Sequence, residues 1–212
     1  MPAGVVVAAG GSTRTGAVPK ALLPHPEGGT ALRRVVRALE AARCSPIIVV
    51  LGAHVDILRP EVEGTSARVV LRTGWARGRT GSVKQGLREV LDPKGTVLLW
   101  PVDHPFASIA TLRALAAAAP QGEASPNCWV VPVHEGRRGH PVLLGGGAAQ
   151  EVLRFGDDEP LFRYPRSHPQ DVIEVAVDDP GVLENVDTLE AFERAADRHR
   201  KALPRDPPAG SD

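Results

Sequence analysis

The sequence has few cysteines, no excess charge of either sign and no long hydrophobic run. Its two cysteines, Cys44 and Cys128, lie far apart without a CxxC motif, which argues for buried thiols in a reducing cytoplasm and against zinc or a disulfide framework. Lys plus Arg and Asp plus Glu balance at 25 each, so no overall field attracts nucleic acid or a membrane surface. No segment approaches the roughly 20 apolar residues of a membrane span, and the N-terminus lacks a signal-peptide pattern. We therefore expect a cytoplasmic protein that binds neither nucleic acid nor membrane.

At 212 residues the chain can bury a sizeable core, and we expect one α/β domain over residues 1–200. Apolar runs alternate with segments of helical periodicity. The pattern predicts strands at 4–8, 46–51, 67–71 and 96–100 and helices at 30–42 and 81–91. This alternation predicts a Rossmann-like, three-layer α/β/α architecture with a mostly parallel sheet, whose ligands bind at the carboxyl ends of the strands.

The second half is less regular. We expect helices at 109–119, 148–155 and 188–199 and strands at 129–133, 141–144 and 172–177. Glycines 145–147 are expected to break the chain before the 148–155 helix. Residues 156–170 contain three prolines and are predicted to be an irregular segment that wraps a surface or covers the site. Residues 201–212 are expected to form a disordered tail.

The most informative segment is VVVAAGGSTRTGAVPK, residues 5–20. It joins a buried strand to a glycine-rich turn, 10–13, whose bare N–H groups can approach an anionic oxygen closely. Arg14 and Lys20 add positive charge, and because Pro19 precedes Lys20 we expect that lysine on an extended segment. The spacing fits neither a Walker A loop nor a G-x-G-x-x-G fingerprint. It predicts a triphosphate-binding loop, the alternative being an ordinary turn with incidental basic residues.

The segment resembles the A-A-G-x-S-x-R-x-G-x-x-K signature of molybdenum cofactor cytidylyltransferases and their guanylyltransferase relatives. The resemblance implies catalytic roles for Arg14 and Lys20 and a nucleotide-binding role for the loop backbone, which comprises Ala8, Ala9, Gly10, Gly11 and Ser12. Relatives usually have Met where this chain has Thr15, a position expected to shape the loop. The resemblance also implies a nucleotidyltransferase fold.

Nucleotidyl transfer needs a divalent cation, and therefore hard oxygen ligands. Asp103 follows a predicted strand within PVDHP, so it is expected at the carboxyl edge of the sheet. The resemblance implies that this aspartate binds Mg2+ and is catalytic, since the family has an Asp-x-Pro motif here. The alternative is an aspartate that caps a turn or helix.

A second metal ligand is expected from the segment 184–188. Relatives usually read Asp-Ile-Asp-Thr-Pro here, so Asn185 replaces their first acid and Asp187 matches their second. The resemblance implies that both bind the metal, and an amide oxygen can ligate Mg2+ without contributing charge. Asp187 or Thr188 could instead cap the last helix.

Two further motifs follow the family order. Gly78 and Ser82 match a Gly-x-x-x-Ser-x-x-x-Gly-Leu segment, which implies contact with the nucleotide base and ribose; Thr80 or Ser82 as a helix cap is the alternative. The tripeptide 139–141 (Gly139, His140 and Pro141) matches a Gly-His-Pro-Val segment that faces the acceptor substrate in relatives, while a structural histidine is the alternative. Gly156-Asp157-Asp158-Glu159 resembles a Gly-Asp-Glu-Gly segment but continues with proline and aromatic residues.

These matches favour transfer of CMP from CTP to a phosphorylated acceptor with Mg2+ and release of pyrophosphate. The cytidylyltransferase resemblance implies molybdopterin as acceptor and a molybdoenzyme as recipient of the product, with a sugar phosphate or another phosphorylated alcohol as the alternative. A second hypothesis is a non-catalytic nucleotide-binding chaperone or regulatory module, which Asn185 supports. A dinucleotide-dependent oxidoreductase ranks lowest because the spaced-glycine fingerprint is missing.

Overall fold

An eight-stranded sheet organises the computed structural model, which describes residues 1–11, 18–92, 94–120 and 127–202. The strands are β1 (Ala3–Ala8), β2 (Ile47–Leu51), β3 (Arg68–Leu71), β4 (Thr96–Pro101), β5 (Trp129–His134), β6 (Arg137–Arg138), β7 (Val142–Gly145) and β8 (Val172–Ala176). Their order is β3-β2-β1-β4-β7-β5-β6, and β8 pairs with β5.

Most of the strands run in one direction. β3, β2, β1 and β4 are joined by parallel pairs, and β5 and β8 also pair in parallel. β7 is antiparallel to both β4 and β5, while β6 returns from β5 through a turn at Glu135 and Gly136 with φ values of 48° and 73°. The mostly parallel sheet predicted from the alternation of strands and helices is confirmed.

Helices cover both faces of the sheet. They are α1 (Ala31–Ala41), α2 (Val55–Leu58), α3 (Arg79–Val90), α4 (Ile109–Ala118), α5 (Gly146–Val152), α6 (Arg163–Ser167) and α7 (Leu189–Ala202). One buried cluster joins the sheet to α1 and α4, and a second joins its other face to α3 and α5. The predicted three-layer arrangement is confirmed. None of the described helices combines the length and apolar character needed to cross a membrane.

Helix α3 packs directly against the central strand β1. A Cβ added at Gly86 would lie 2.4 Å from Val5 Cγ1, so only glycine allows this approach. Because β1 and α3 are this close, the loop that follows β1 and the start of α3 open at the same edge of the sheet. Both cysteines are buried free thiols, as predicted, and burial raises the pKa of Cys44 to about 11.

Two predictions for the second half were wrong. The glycine run does not break the chain before α5, because that helix begins at Gly146 and ends at Val152. Residues 156–170 are not wholly irregular, since they contain α6. Pro165 is tolerated there because it is the third residue of α6, where a backbone N–H has no partner within the helix. The predicted disordered tail lies almost wholly outside the described residues.

Candidate active site

A cavity of about 850 Å3 opens at the carboxyl ends of β1 and β4. Nine of the residues predicted from the sequence line it: Ala8, Gly10, Gly11, Lys20, Ser82, Asp103, Gly139, His140 and Asp187. The rest of its lining comes mainly from the start of α3 and from residues 158–166, which we call the acceptor-side segment because they share the cavity with the 139–141 motif that is predicted to face the acceptor. This volume is within the usual range for a pocket that binds a small-molecule ligand.

Lys20, Asp103 and Asp187 form an ionic cluster in this cavity. The Nζ of Lys20 lies 2.8 Å from Asp187 Oδ1 and 3.4 Å from Asp103 Oδ2. The three side chains are 12–29% exposed, so they are largely but not wholly removed from water. Residues separated by up to 167 positions in the sequence therefore meet at one point.

Local backbone structure explains how each member of the cluster reaches the cavity. Pro19 is extended, but Lys20 begins a 3-10 helix, Lys20–Leu22, so the prediction of an extended lysine was wrong by one residue. Asp103 follows β4, and its carbonyl accepts a hydrogen bond of 2.8 Å from the N–H of Val186. Since Val186 is buried, this bond fixes the neighbouring Asp187 beside Asp103.

Thr188, not Asp187, caps the last helix. The Thr188 hydroxyl accepts a hydrogen bond of 3.1 Å from the N–H of Ala191. The carboxylate of Asp187 contacts Lys20 in the cavity instead. Of the two capping residues considered from the sequence, one caps and the other belongs to the site.

The donor set fits a hard divalent cation. Asp103 and Asp187 each place a carboxylate oxygen within 3.4 Å of one ammonium group, so an ion of higher charge could be shared by the same pair. Asn185 is exposed and does not line the cavity, so a ligand role for it stays a prediction.

The loop that is predicted to bind the nucleotide is described in part. Gly10 and Gly11 line the cavity, whereas Ala9 is 2% exposed and its carbonyl accepts a hydrogen bond from the N–H of Ala53. A Cβ at Gly52 would lie 2.6 Å from that same carbonyl oxygen, so Ala9 packs against the β2 side of the loop. Ser12 and Arg14, both predicted site residues, lie outside the described residues.

The start of α3 forms the adjoining wall. Ser82 is buried and lines the cavity, but neither it nor Thr80 caps the helix; Gly78 occupies the cap position without a side-chain bond. Gly78 itself does not line the cavity. Its φ is +145°, and a Cβ there would lie 2.1 Å from the carbonyl oxygen of Asp157. Only glycine therefore allows the backbone at Asp157 to come this close to the start of α3.

Two histidine rings lie close together, tilted by 47°, on another part of the cavity wall. The rings of His104 and His140 have centroids 4.4 Å apart, and both line the cavity. Burial lowers the pKa of both, that of His140 to about 4, so the pair is neutral at pH 7. Gly139 packs against the carbonyl of Val182, which also accepts the His140 N–H, whereas Pro141 does not line the cavity.

An ionic cluster anchors the chain just before the acceptor-side segment. Asp157 accepts hydrogen bonds from Arg72, at 2.5 Å, and from Lys84, at 3.0 Å, and these bonds lower its pKa. Lys84 also donates to the carbonyl of Phe155, and Thr80 donates to that of Glu159. These contacts attach residues 155–159 to the start of α3. We call Arg72, Lys84 and Asp157 the Asp157 cluster.

The aromatic lining was not predicted from the sequence. Trp75, Trp129 and Phe162 all line the cavity, and Phe162 is 53% exposed with the Arg166 guanidinium 4.3 Å above its ring. The one available signal was the departure of this chain from the Gly-Asp-Glu-Gly pattern into proline and aromatic residues. The proline and aromatic residues at which the chain departs from that pattern form part of the cavity wall.

Fold and site together define a nucleotidyltransferase of the class that joins a nucleoside monophosphate to a second substrate. A nucleotidyl transferase from Methanothermobacter thermautotrophicus superposes with a TM-score of 0.81 over 96% of this chain and 99% of that one, at 23% identity, which shows the shared fold.

The chain belongs to the MobA-like NTP transferase domain family, whose model matches residues 4–172. Rv0371c of Mycobacterium tuberculosis is 28% identical, with a TM-score of 0.75 over 93% of this chain and 98% of that one. The same protein has been solved in complex with manganese, with a TM-score of 0.71 at 27% identity over 92% and 97% of the two chains. Nicotine blue oxidoreductase of Paenarthrobacter nicotinovorans is 28% identical over 194 residues, covering 90% of this chain and 94% of that one.

Proposed function

We propose that the protein transfers CMP from CTP to the phosphate of molybdopterin in the cytoplasm, with Mg2+ and release of pyrophosphate. The observation that carries the proposal is the meeting of Lys20, Asp103 and Asp187 at one end of a two-sided cavity. The glycine loop and Ser82 form the nucleotide side of that cavity, and His140 with the acceptor-side segment forms the other.

The reaction needs no covalent intermediate with the protein. An oxygen of the acceptor phosphate attacks the α-phosphorus of the nucleotide, and the bond from that phosphorus to the pyrophosphate oxygen breaks. Mg2+, held by Asp103 and Asp187, would neutralise charge that develops on the pyrophosphate. Arg14, Lys20 and the loop N–H groups hold the triphosphate, so positioning and charge neutralisation supply most of the acceleration.

The acceptor side suits a planar, phosphorylated molecule. Trp129 and Phe162 offer apolar ring surface, and Arg138 and Arg166 offer positive charge at the same cavity. The neutral His140 ring can form a hydrogen bond with the acceptor substrate without adding charge to the cavity. A pterin phosphate matches this combination of ring surface and anion recognition. A molybdoenzyme would then receive the product.

The test is a pyrophosphate-release screen of CTP, GTP, UTP and ATP, each with Mg2+, against molybdopterin and several sugar phosphates. We expect the highest rate with CTP and molybdopterin, and a fall by orders of magnitude in a folded Lys20→Ala variant. A near-normal rate in that variant would refute the role of Lys20. Activity on a sugar phosphate alone would overturn the acceptor and keep the mechanism. Nucleotide binding without pyrophosphate release would favour a non-catalytic chaperone or regulatory module.

A second candidate is an oxidoreductase acting on a planar heteroaromatic substrate. It is favoured by the nearly full-length similarity to nicotine blue oxidoreductase and by the aromatic lining of the cavity, Trp75, Trp129 and Phe162. The direct test is bleaching of nicotine blue with NADH or NADPH as electron donor. Bleaching that does not require a nucleoside triphosphate would support this candidate over the transferase.

A further inference from the structure

In the ionic cluster of Lys20, Asp103 and Asp187, the lysine competes with the proposed divalent cation for the two carboxylates. The ammonium group of Lys20 contacts the same two carboxylates, Asp103 and Asp187, that are proposed to hold the divalent cation. An ion shared by these carboxylates would be close to a positive charge already 2.8 Å from one carboxylate oxygen. The side chains are largely buried, so water screens this repulsion only in part.

The carboxylates cannot easily separate to avoid the competition. The hydrogen bond from the Val186 N–H to the Asp103 carbonyl joins their backbones, and Val186 is fully buried. Two carboxylates held side by side repel each other, so a cation of some kind stabilises the pair. The ammonium group of Lys20, which contacts both carboxylates, provides such a cation.

Lys20 has the longest side chain of the three residues, so it can change partners by rotation about its own side-chain bonds. It is the first residue of a three-residue 3-10 helix at the cavity wall, and its long side chain ends in a rotatable ammonium group. The glycines that line the nucleotide side, Gly10 and Gly11, border the same cavity. An ammonium group that leaves the carboxylates can therefore move toward the triphosphate without any change in the fold.

We propose that Lys20 is an exchangeable counter-ion: it neutralises Asp103 and Asp187 in the free protein and moves to the nucleotide phosphates when the divalent cation binds. The proposal rests on the proposed function, since it takes the carboxylate pair as the metal site. Such an exchange couples nucleotide binding to metal binding. Nucleotide gives the displaced ammonium a new partner, so nucleotide strengthens metal binding and metal strengthens nucleotide binding by the same factor.

The test measures Mn2+ affinity by the EPR signal of the free ion, with and without a non-hydrolysable CTP analogue. Without nucleotide, Lys20→Met should bind Mn2+ about five- to tenfold more tightly than the natural protein, because the competing charge is gone. Lys20→Arg keeps the charge and should stay close to the natural protein. The analogue should tighten Mn2+ binding in the natural protein, and this gain should shrink in Lys20→Met.

Unchanged or weaker Mn2+ binding in a folded Lys20→Met variant would overturn the exchange while leaving the metal site intact. Absence of Mn2+ binding in every form, with and without nucleotide, would overturn both the exchange and the proposed metal-dependent reaction. A second measurement uses the natural protein and needs no substitution. Labelling of Lys20 by an amine-reactive reagent, read by mass spectrometry, should rise when Mn2+ alone is added, and a labelling rate unaffected by Mn2+ would also contradict the exchange.

Discussion

The nucleotide side and the acceptor side of the cavity are built in different ways. On the nucleotide side, neighbouring parallel strands place residues directly at their carboxyl ends, as with the loop after β1 and Asp103 after β4. On the acceptor side, an antiparallel hairpin, β5–β6, is held by local strand pairing, and the chain that leads into the 158–166 segment is held by contacts between distant residues, above all by the Asp157 cluster. The comparison teaches that the proposed nucleotide side is positioned by regular architecture, whereas the proposed acceptor side depends on a few specific ionic contacts that attach its segment to α3.

The largest expected effect comes from removing charge on the nucleotide side. Asp103→Asn preserves size but weakens both the carboxylate pair and its contact with Lys20, so pyrophosphate release should fall about a hundredfold or more with every acceptor. Asp56→Asn, at an exposed aspartate in α2, is the matched control and should leave the rate unchanged. A loss confined to one acceptor would contradict the assignment of Asp103 to the nucleotide side.

Asp157→Asn should affect the acceptor side selectively. Loss of the carboxylate loosens the attachment of residues 155–159 to α3, so the acceptor KM should rise about tenfold while the nucleotide KM stays constant. Glu184→Gln, which breaks the exposed pair with Arg198 on α7, controls for a lost ion pair. Equal changes in both KM values would mean that the cluster serves stability and not acceptor positioning.

Acid should destabilise the protein through two buried histidines, His140 in the cavity wall and His25 beside Phe106 outside the cavity. Burial lowers the pKa of His140 to about 4 and that of His25 to about 3, well below the 6.5 of an ordinary histidine. As the pH falls, these histidines are protonated in the unfolded chain before they are protonated in the folded protein. Their contribution to the free energy of unfolding is therefore fully present above pH 6.5 and is lost as the pH falls toward 4.

His25→Phe should reduce this acid sensitivity. The ring of His25 lies 4.9 Å from that of Phe106, so an apolar ring can occupy its place, and the slope of stability against pH below 6.5 should decrease by about 1.4 kcal/mol per pH unit. Urea unfolding at several pH values between 4 and 7 measures the slope. An unaltered slope in His25→Phe would show that His25 does not contribute.

The smallest effect compares two helix caps. Thr30→Ala and Thr188→Ala each remove a hydroxyl that accepts a backbone N–H, and each should cost about 1 kcal/mol of stability. Only Thr188→Ala should also weaken Mn2+ binding, because Thr188 adjoins Asp187. Melting curves and Mn2+ titration separate the two effects. Equal Mn2+ affinity in both variants would show that the α7 cap does not help to hold Asp187.

The same contrast explains what could be predicted from the sequence. The sheet, α1 and the position of Asp103 follow from apolar runs, periodicity and the rule that ligands lie at strand ends, all of which are local signals. The Asp157 cluster joins positions 72, 84 and 157, and no local pattern announces such a contact. The helix α2 was missed because it is only four residues long. It also follows His54, whose left-handed backbone conformation is typical of a turn.

The bond from Val186 to Asp103 also has a consequence for the order in which the protein becomes active. During synthesis the strands β1 to β4 can pair long before residues 184–188 exist, yet Lys20 and Asp103 then still lack Asp187. A nascent or truncated chain could thus contain a nearly complete sheet without a complete site. Turnover therefore reports that the chain has folded almost to its last helix.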